Sequence, residues 1–227
     1  MNFLLSYPRS GNTWVRYIVE YLSKRPTIYR KENIQDNPIG SRINLGVDLD
    51  KEPILYKRHW LEPQDFKNQN VDKLILIIRD YKEAIPRHHK EAPGIDFPTL
   101  KERFIGEMRG LPNEKCDYIK AIQHFDTWPG PKLLLYYEDL ISASELLVLE
   151  IAHLLELDQS RVTEFIKDIN HHKQNSVQCY HTKSWTQGRE EQLKFHQQQL
   201  PAELLNFAKQ YIQTNFPNIY DKYLYKY

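Results

Sequence analysis

The sequence predicts a three-layer α/β/α fold with a central parallel sheet, and three observations carry that prediction. Residues Lys73-Leu74-Ile75-Leu76-Ile77-Ile78-Arg79-Asp80 contain a continuous apolar run of the kind buried on both faces of a parallel sheet. Near the start, the short run Phe3-Leu4-Leu5 leads through a tight loop into Trp14, Val15, Ile18, Val19 and Leu22, which recur at the spacing of one helix face. Strand-like runs then alternate with helical patterns along the chain, the signature of parallel α/β units. With 227 residues and neither repeat nor linker, one domain over 1–227 is the expectation.

In order, the first strand at residues 3–5 stops at Pro8, and its helix ends near Lys24-Arg25-Pro26. From Thr27 to Asp50 the chain has Asn, Asp, Pro and Gly without periodicity, an irregular excursion that reads equally as a binding lid or a solvated surface loop. Pro53-Ile54-Leu55-Tyr56-Lys57 is a second strand, ending in Arg58-His59, and residues 73–80 are the third. Helical patterns cover roughly Tyr81–Lys90, Phe97–Met108 and Lys115–Trp128. Lys132–Tyr137 is a fourth strand, and Ser144–Leu155 a helix with Leu146, Leu147, Ile151 and Leu154 on one side. The polar stretch 170–191 reads as a late loop, Leu200–Phe216 as a helix, and the four tyrosines of 220–227 as a packed surface strap.

Lys and Arg total 31 against 30 Asp and Glu, a net charge of +1, so nothing overall marks a nucleic-acid binder. Cys116 and Cys179 lie far apart and form neither a disulfide framework nor a Cys-rich metal site, which suits a reducing compartment. The opening Met-Asn-Phe-Leu-Leu-Ser-Tyr-Pro is too short and uncharged for a signal peptide, and no apolar run approaches the ~20 residues that span a bilayer. The expectation is a cytoplasmic protein without a membrane partner.

The octet Tyr7-Pro8-Arg9-Ser10-Gly11-Asn12-Thr13-Trp14 sits where a strand gives way to a helix, so unpaired N–H groups and the positive end of the helix dipole favour an anion there. Ser10, Asn12 and Thr13 add side-chain donors, Arg9 adds a charge that binds phosphate oxygens in pairs, and Gly11 lets the backbone approach closely. The string is not a Walker A loop, since no Gly-Lys-Ser/Thr follows four variable residues after a first glycine. Arg79 closes the third strand, and ligands of open α/β sheets bind outside the carboxyl ends of the strands, although a strand-end Arg also reads as paired with Asp80 or Glu83. Lys57 and His59, two apart on an extended segment, face the same way. No carboxylate cluster suggests Mg²⁺, and no metal is expected.

Taken together these motifs resemble the cytosolic-type sulfotransferase family, whose phosphosulfate loop usually reads Tyr-Pro-Lys-Ser-Gly-Thr-Thr-Trp. The resemblance covers residues 3 to about 155 in order and spacing, and it implies a P-loop-NTPase-like sulfotransferase architecture. It also implies 3′-phosphoadenosine 5′-phosphosulfate (PAPS) as co-substrate, adenosine 3′,5′-bisphosphate (PAP) as product, and a small-molecule acceptor. By that resemblance, Arg79 and the residue eight positions on would hold the 3′-phosphate; the family has Ser there, and this chain has Arg87. Lys57-Arg58-His59 is similar to the family Lys-x-His, implying His59 as the base and Lys57, with Arg9, as stabilisers of the group in transfer. An imidazole titrates near the operating pH, as a base for a weakly acidic hydroxyl must. Tyr137 in Tyr137-Glu138-Asp139 would lie near the adenine and Trp14 would stack on it, although an aromatic at a helix start is as often core, and Asp139 also reads as a helix N-cap. The family's late Arg-Lys-Gly is absent; Lys183, Gly188 and Arg189 are the basic and flexible residues available there. Two other readings stay open: a nucleoside or small-molecule kinase using ATP and Mg²⁺, and a non-catalytic nucleotide-binding protein.

Overall fold

A computed structural model describes residues 1–8, 10–28, 45–59, 71–84, 118–142, 144–178 and 202–219. Its centre is β1 (Asn2–Ser6), flanked by β3 (Leu55–Arg58) and β4 (Lys73–Ile78), with β2 (Thr27–Ile28) and β5 (Lys132–Tyr136) outside them. The order is β2-β3-β1-β4-β5 and every pairing is parallel. Leu5 pairs with Arg58 on one side and Leu76 on the other, and Ile78 pairs with Tyr136, so the carboxyl ends of four strands reach one edge together.

Alternation along the strands splits the core in two, because successive side chains point to opposite faces. Phe3, Leu5, Leu74, Leu76 and Ile78 pack on one face with Ile119 and Ile122 of α2 (Tyr118–Thr127) and with Ala208 and Ile212 of α7 (Ala202–Asn215). Leu4, Ile75 and Ile77 face the other way, onto Val15, Ile18 and Leu22 of α1 (Asn12–Ser23), Val148 and Ile151 of α4 (Ser144–Leu155), and Phe165 of α5 (Gln159–Lys167). Helices therefore cover both faces of a parallel sheet, the three-layer arrangement expected. Between β5 and α4 lies the short α3 (Tyr137–Ser142), and α6 (Ile169–Gln178) follows α5. No helix among the described residues is long and apolar enough to cross a membrane.

Three elements differ from the sequence reading. Thr27–Ile28, inside the stretch taken as irregular, is an edge strand held by α1. Arg16 Nε donates to Thr27 Oγ1 at 2.7 Å and its guanidinium to the Thr27 carbonyl at 3.0 Å, while the Thr27 N–H and hydroxyl both donate to the fully buried Glu20. Helix α5, which the periodicity did not mark out, starts at an N-cap: Asp158 Oδ1 accepts from Ser160 N–H at 2.9 Å. The polar stretch from 170 is helical as far as Gln178, because Ile169, His172 and Ser176 fall on one buried face. The pattern at 97–108, residues 85–90 of the helix expected from Tyr81, and the strap 220–227 lie outside the described residues.

Candidate functional site

The strand ends at the shared edge carry the residues singled out above. After β1, Gly11 adopts φ 88°, the left-handed region, and caps α1; a Cβ there would stand 2.7 Å from Cδ2 of Tyr137, so only glycine fits between helix start and ring. Ser10 is fully buried, and its Oγ has no hydrogen-bond partner among the described residues. A buried hydroxyl of this kind, beside the first turn of a twelve-residue helix, is suited to an anion-binding loop. Thr13 is buried, and Asn12 Nδ2 donates to Ser6 Oγ at 3.2 Å, tying the helix start back to the strand end.

His59 follows β3. Its Nδ1 lies 2.7 Å from the Ser6 carbonyl, and since a carbonyl only accepts, the ring N–H is at Nδ1. Nε2 then carries the lone pair, and it accepts a hydrogen bond from the buried Lys57 ammonium. The pair two apart on the strand does face one way, and the β1 backbone fixes the tautomer. In chemical terms this is a proton acceptor with a cation beside it.

Arg79 follows β4 and is buried. Its guanidinium stacks 4.0 Å over the Tyr137 ring and pairs with Glu83 at 2.5 Å. Its carbonyl accepts from the Tyr118 hydroxyl at 2.6 Å, and the Tyr118 ring packs 5.6 Å from that of Tyr7, the first residue of the loop. Burial holds the Tyr118 hydroxyl well above the usual tyrosine range, so it stays a donor. Burial also pushes the carboxyls of Asp80 and Glu138 up, although Asp80 pairs with Lys82 at 3.3 Å and Glu138 accepts from the Asp80 N–H at 3.1 Å. Asp139 lies in the first turn of α3, inside the helix that begins at Tyr137, so it is not the N-cap expected of it.

Trp14 packs on Tyr17 at 5.6 Å and Phe165 at 5.8 Å, with its buried Nε1 unpartnered among the described residues. Arg9, Arg87, Lys183 and Arg189 lie outside the described residues. Sequence reasoning missed Ser6 and Tyr118. The first acts through its main-chain carbonyl, which leaves no side-chain signal, and the second stands 39 positions from the residue it supports. Among the described residues no group of three His, Cys, Asp or Glu is arranged to hold a metal ion.

No protein-family model matches the chain. Among curated proteins it is 29% identical over 196 residues to Sulfotransferase 1B1 of Canis lupus familiaris, covering 74% of this chain and 62% of that protein. It is 23% identical over 207 residues to Cytosolic sulfotransferase 1 of Danio rerio, covering 79% and 68%. The chain thus spans less than two thirds of the dog protein's length. Among solved structures, mouse sulfotransferase SULT7A1, a complex with PAP, superposes with a TM-score of 0.50 at 16% identity, over 93% of this chain and 88% of that one. That likeness carries the fold, an all-parallel five-stranded sheet between helices. In sequence the chain is therefore similar to cytosolic sulfotransferases, and its fold agrees with that similarity.

Proposed function

We propose that the chain moves a sulfuryl group from PAPS to a hydroxyl or amine of a small-molecule acceptor. The observation that carries this reading is the imidazole of His59, with its proton held at Nδ1 by the Ser6 carbonyl and its Nε2 against Lys57. Beside it, the fully buried Ser10 hydroxyl, unpartnered among the described residues, fits a loop built for an anion. The bound donor supplies the sulfuryl group and leaves as PAP. Ser10, Gly11, Asn12 and Thr13, with the α1 N-terminus, hold the phosphosulfate end. Arg79 and Arg87 take the second phosphate, Tyr137 and Trp14 lie toward the adenine, and Lys183 and Arg189 are the basic residues of the late segment.

His59 takes the acceptor's proton at Nε2, which requires Lys57 to leave that lone pair. The freed ammonium, with Arg9, then offsets charge on the group in transfer, as preorganised cations do. A sulfuryl group carries less charge than a phosphoryl group, so side-chain cations suffice in this scheme and no metal is assigned. The domain is 1–227.

Thermal unfolding with PAP, with AMP and with ATP plus Mg²⁺ tests the nucleotide. A ligand at one hundred times its Kd adds ~2.7 kcal/mol of stability. Stabilisation by PAP above both others, together with label transfer from PAPS to phenols, alcohols or amines, supports the proposal. Stabilisation by ATP with Mg²⁺ alone moves the chain to the kinase reading, and PAP binding without transfer over a broad acceptor panel leaves a nucleotide-binding protein.

A further inference from the structure

Arg79 is held on nearly every side. The Tyr137 ring lies over its guanidinium, the Tyr118 hydroxyl fixes its carbonyl, and its side chain is only 9% exposed. A guanidinium that buried needs a counter-ion at all times, because an uncompensated buried charge is strongly destabilising. Glu83 supplies one, 2.5 Å away at i+4, from the helical turn that opens at Tyr81.

The two partners differ in what they would lose by separating. Glu83 is 48% exposed, so its carboxylate can turn into water at little cost, whereas Arg79 stays where the ring and strand hold it. The neighbouring carboxylates are committed elsewhere. Asp80 is buried, pairs with Lys82 and accepts the Lys82 N–H at 2.9 Å, and Glu138 accepts the Asp80 N–H. Of the three, Glu83 is the most exposed to water, while Asp80 and Glu138 each hold a backbone N–H at the β4 end.

We infer that Glu83 is an exchangeable counter-ion of Arg79: a phosphate arriving on the guanidinium displaces it, and this competition sets how strongly the protein prefers a nucleotide with a second phosphate. The inference rests on the two-phosphate reading above. A phosphate presents three acceptor oxygens and up to two charges against the carboxylate's one, so the exchange is favourable once the nucleotide is anchored by its other end. The carboxylate keeps the site folded when empty and lowers the affinity of the filled one.

Calorimetric titration of the full chain with PAP and with AMP gives the affinity ratio that reports on the second phosphate. Glu83→Gln removes the competing charge and should raise that ratio about fivefold, the equivalent of an ion pair worth ~1 kcal/mol, with AMP affinity unchanged. Glu83→Asp separates pairing from general charge: it keeps the negative charge but shortens the reach by one methylene, and its ratio should rise toward that of Gln. Glu83 is half-exposed, and unfolding without ligand checks that each variant is folded. A wild-type ratio well above one that neither variant moves, or an Asp variant equal to wild type beside a raised Gln variant, overturns the inference while leaving the two-phosphate reading standing. A wild-type ratio near one overturns that reading and this inference with it.

Discussion

The end of β3 and the end of β4 meet the same edge of the sheet with opposite constructions. At β3, Lys57 and His59 come from one strand, and the ring is fixed by a main-chain carbonyl of the neighbouring strand. At β4, Arg79 is fixed by aromatic groups from α2 and α3, and its counter-ion comes from a half-exposed side chain one turn on. The first arrangement fixes the direction of a lone pair, which is what a proton transfer requires. The second keeps a charge in place while leaving its partner replaceable, which is what binding and release require. If this contrast is right, substitutions at β3 act on turnover and substitutions at β4 act on affinity.

The largest expected break is His59→Ala. Loss of a general base typically removes 10²–10⁴ in rate, and PAP affinity should stay near that of the wild type. Parallel loss of PAP affinity, measured by titration, would place His59 among the structural or binding groups instead. Gly11→Ala comes next. A left-handed backbone strains an alanine by roughly 1–2 kcal/mol, and the added Cβ also meets the Tyr137 ring, so both melting temperature and PAP affinity should fall. A variant with wild-type stability and affinity would mean that neither the glycine conformation nor the ring contact matters to the loop. Tyr118→Phe should be milder: it deletes one hydrogen bond to the Arg79 carbonyl, worth about 1 kcal/mol of stability, and lowers PAP affinity while leaving kcat intact. A drop in kcat with unchanged affinity would erase the contrast between the two strand ends.

How much of this was legible in the sequence follows from what each contact is made of. Residues 74–78 read as a buried strand because every position is apolar; α4 has the bounds expected, but its buried side is Leu147, Val148, Ile151, Ala152 and Leu155, and Leu146, expected on that side, is exposed because apolar residues ring the helix. Thr27–Ile28 was not legible, since two residues carry no period and the strand exists through polar bonds to Arg16 and Glu20. Helix α6 was hidden because its buried face consists of Ile169, His172 and Ser176, only one of them apolar. In the site, Lys57 and His59 were visible as a pair because strand geometry alone aligns positions two apart. The Arg79–Glu83 pair was legible too, as charges four positions apart, whereas the Ser6 carbonyl and the Tyr118 hydroxyl act across elements distant in the chain, which spacing does not encode.

The smallest expected effect is one of pH, and it sets the β4 end against the far side of α1. His172 of α6 is buried, stacked on Phe165 at 4.2 Å and bonded to the Tyr17 hydroxyl at 3.0 Å, and burial pushes its pKa down. Its unfolded form takes up a proton near pH 6.5 while the folded form resists until lower pH, so its contribution is intact above about 6.5 and is lost as pH falls through that window. Glu138 has the opposite sign. Burial raises its pKa, so the folded state holds the proton longer than the unfolded one, and stability falls as pH rises from the ordinary glutamate value through the raised one. Glu138→Gln keeps an acceptor for the Asp80 N–H and removes the disfavoured charge, so it should match or exceed the wild type at pH 7 and lose that advantage toward pH 4.5. Melting curves of the wild type, Glu138→Gln and His172→Gln from pH 7.5 to 4.5 separate the two. The Glu138 variant should converge on the wild type as the pH falls, and the His172 variant should lose less stability than the wild type below pH 6.5. Parallel curves for all three would mean that neither group titrates differently in the folded chain, and the buried charge at the β4 end would then have to be screened by groups other than Arg79 and Lys82.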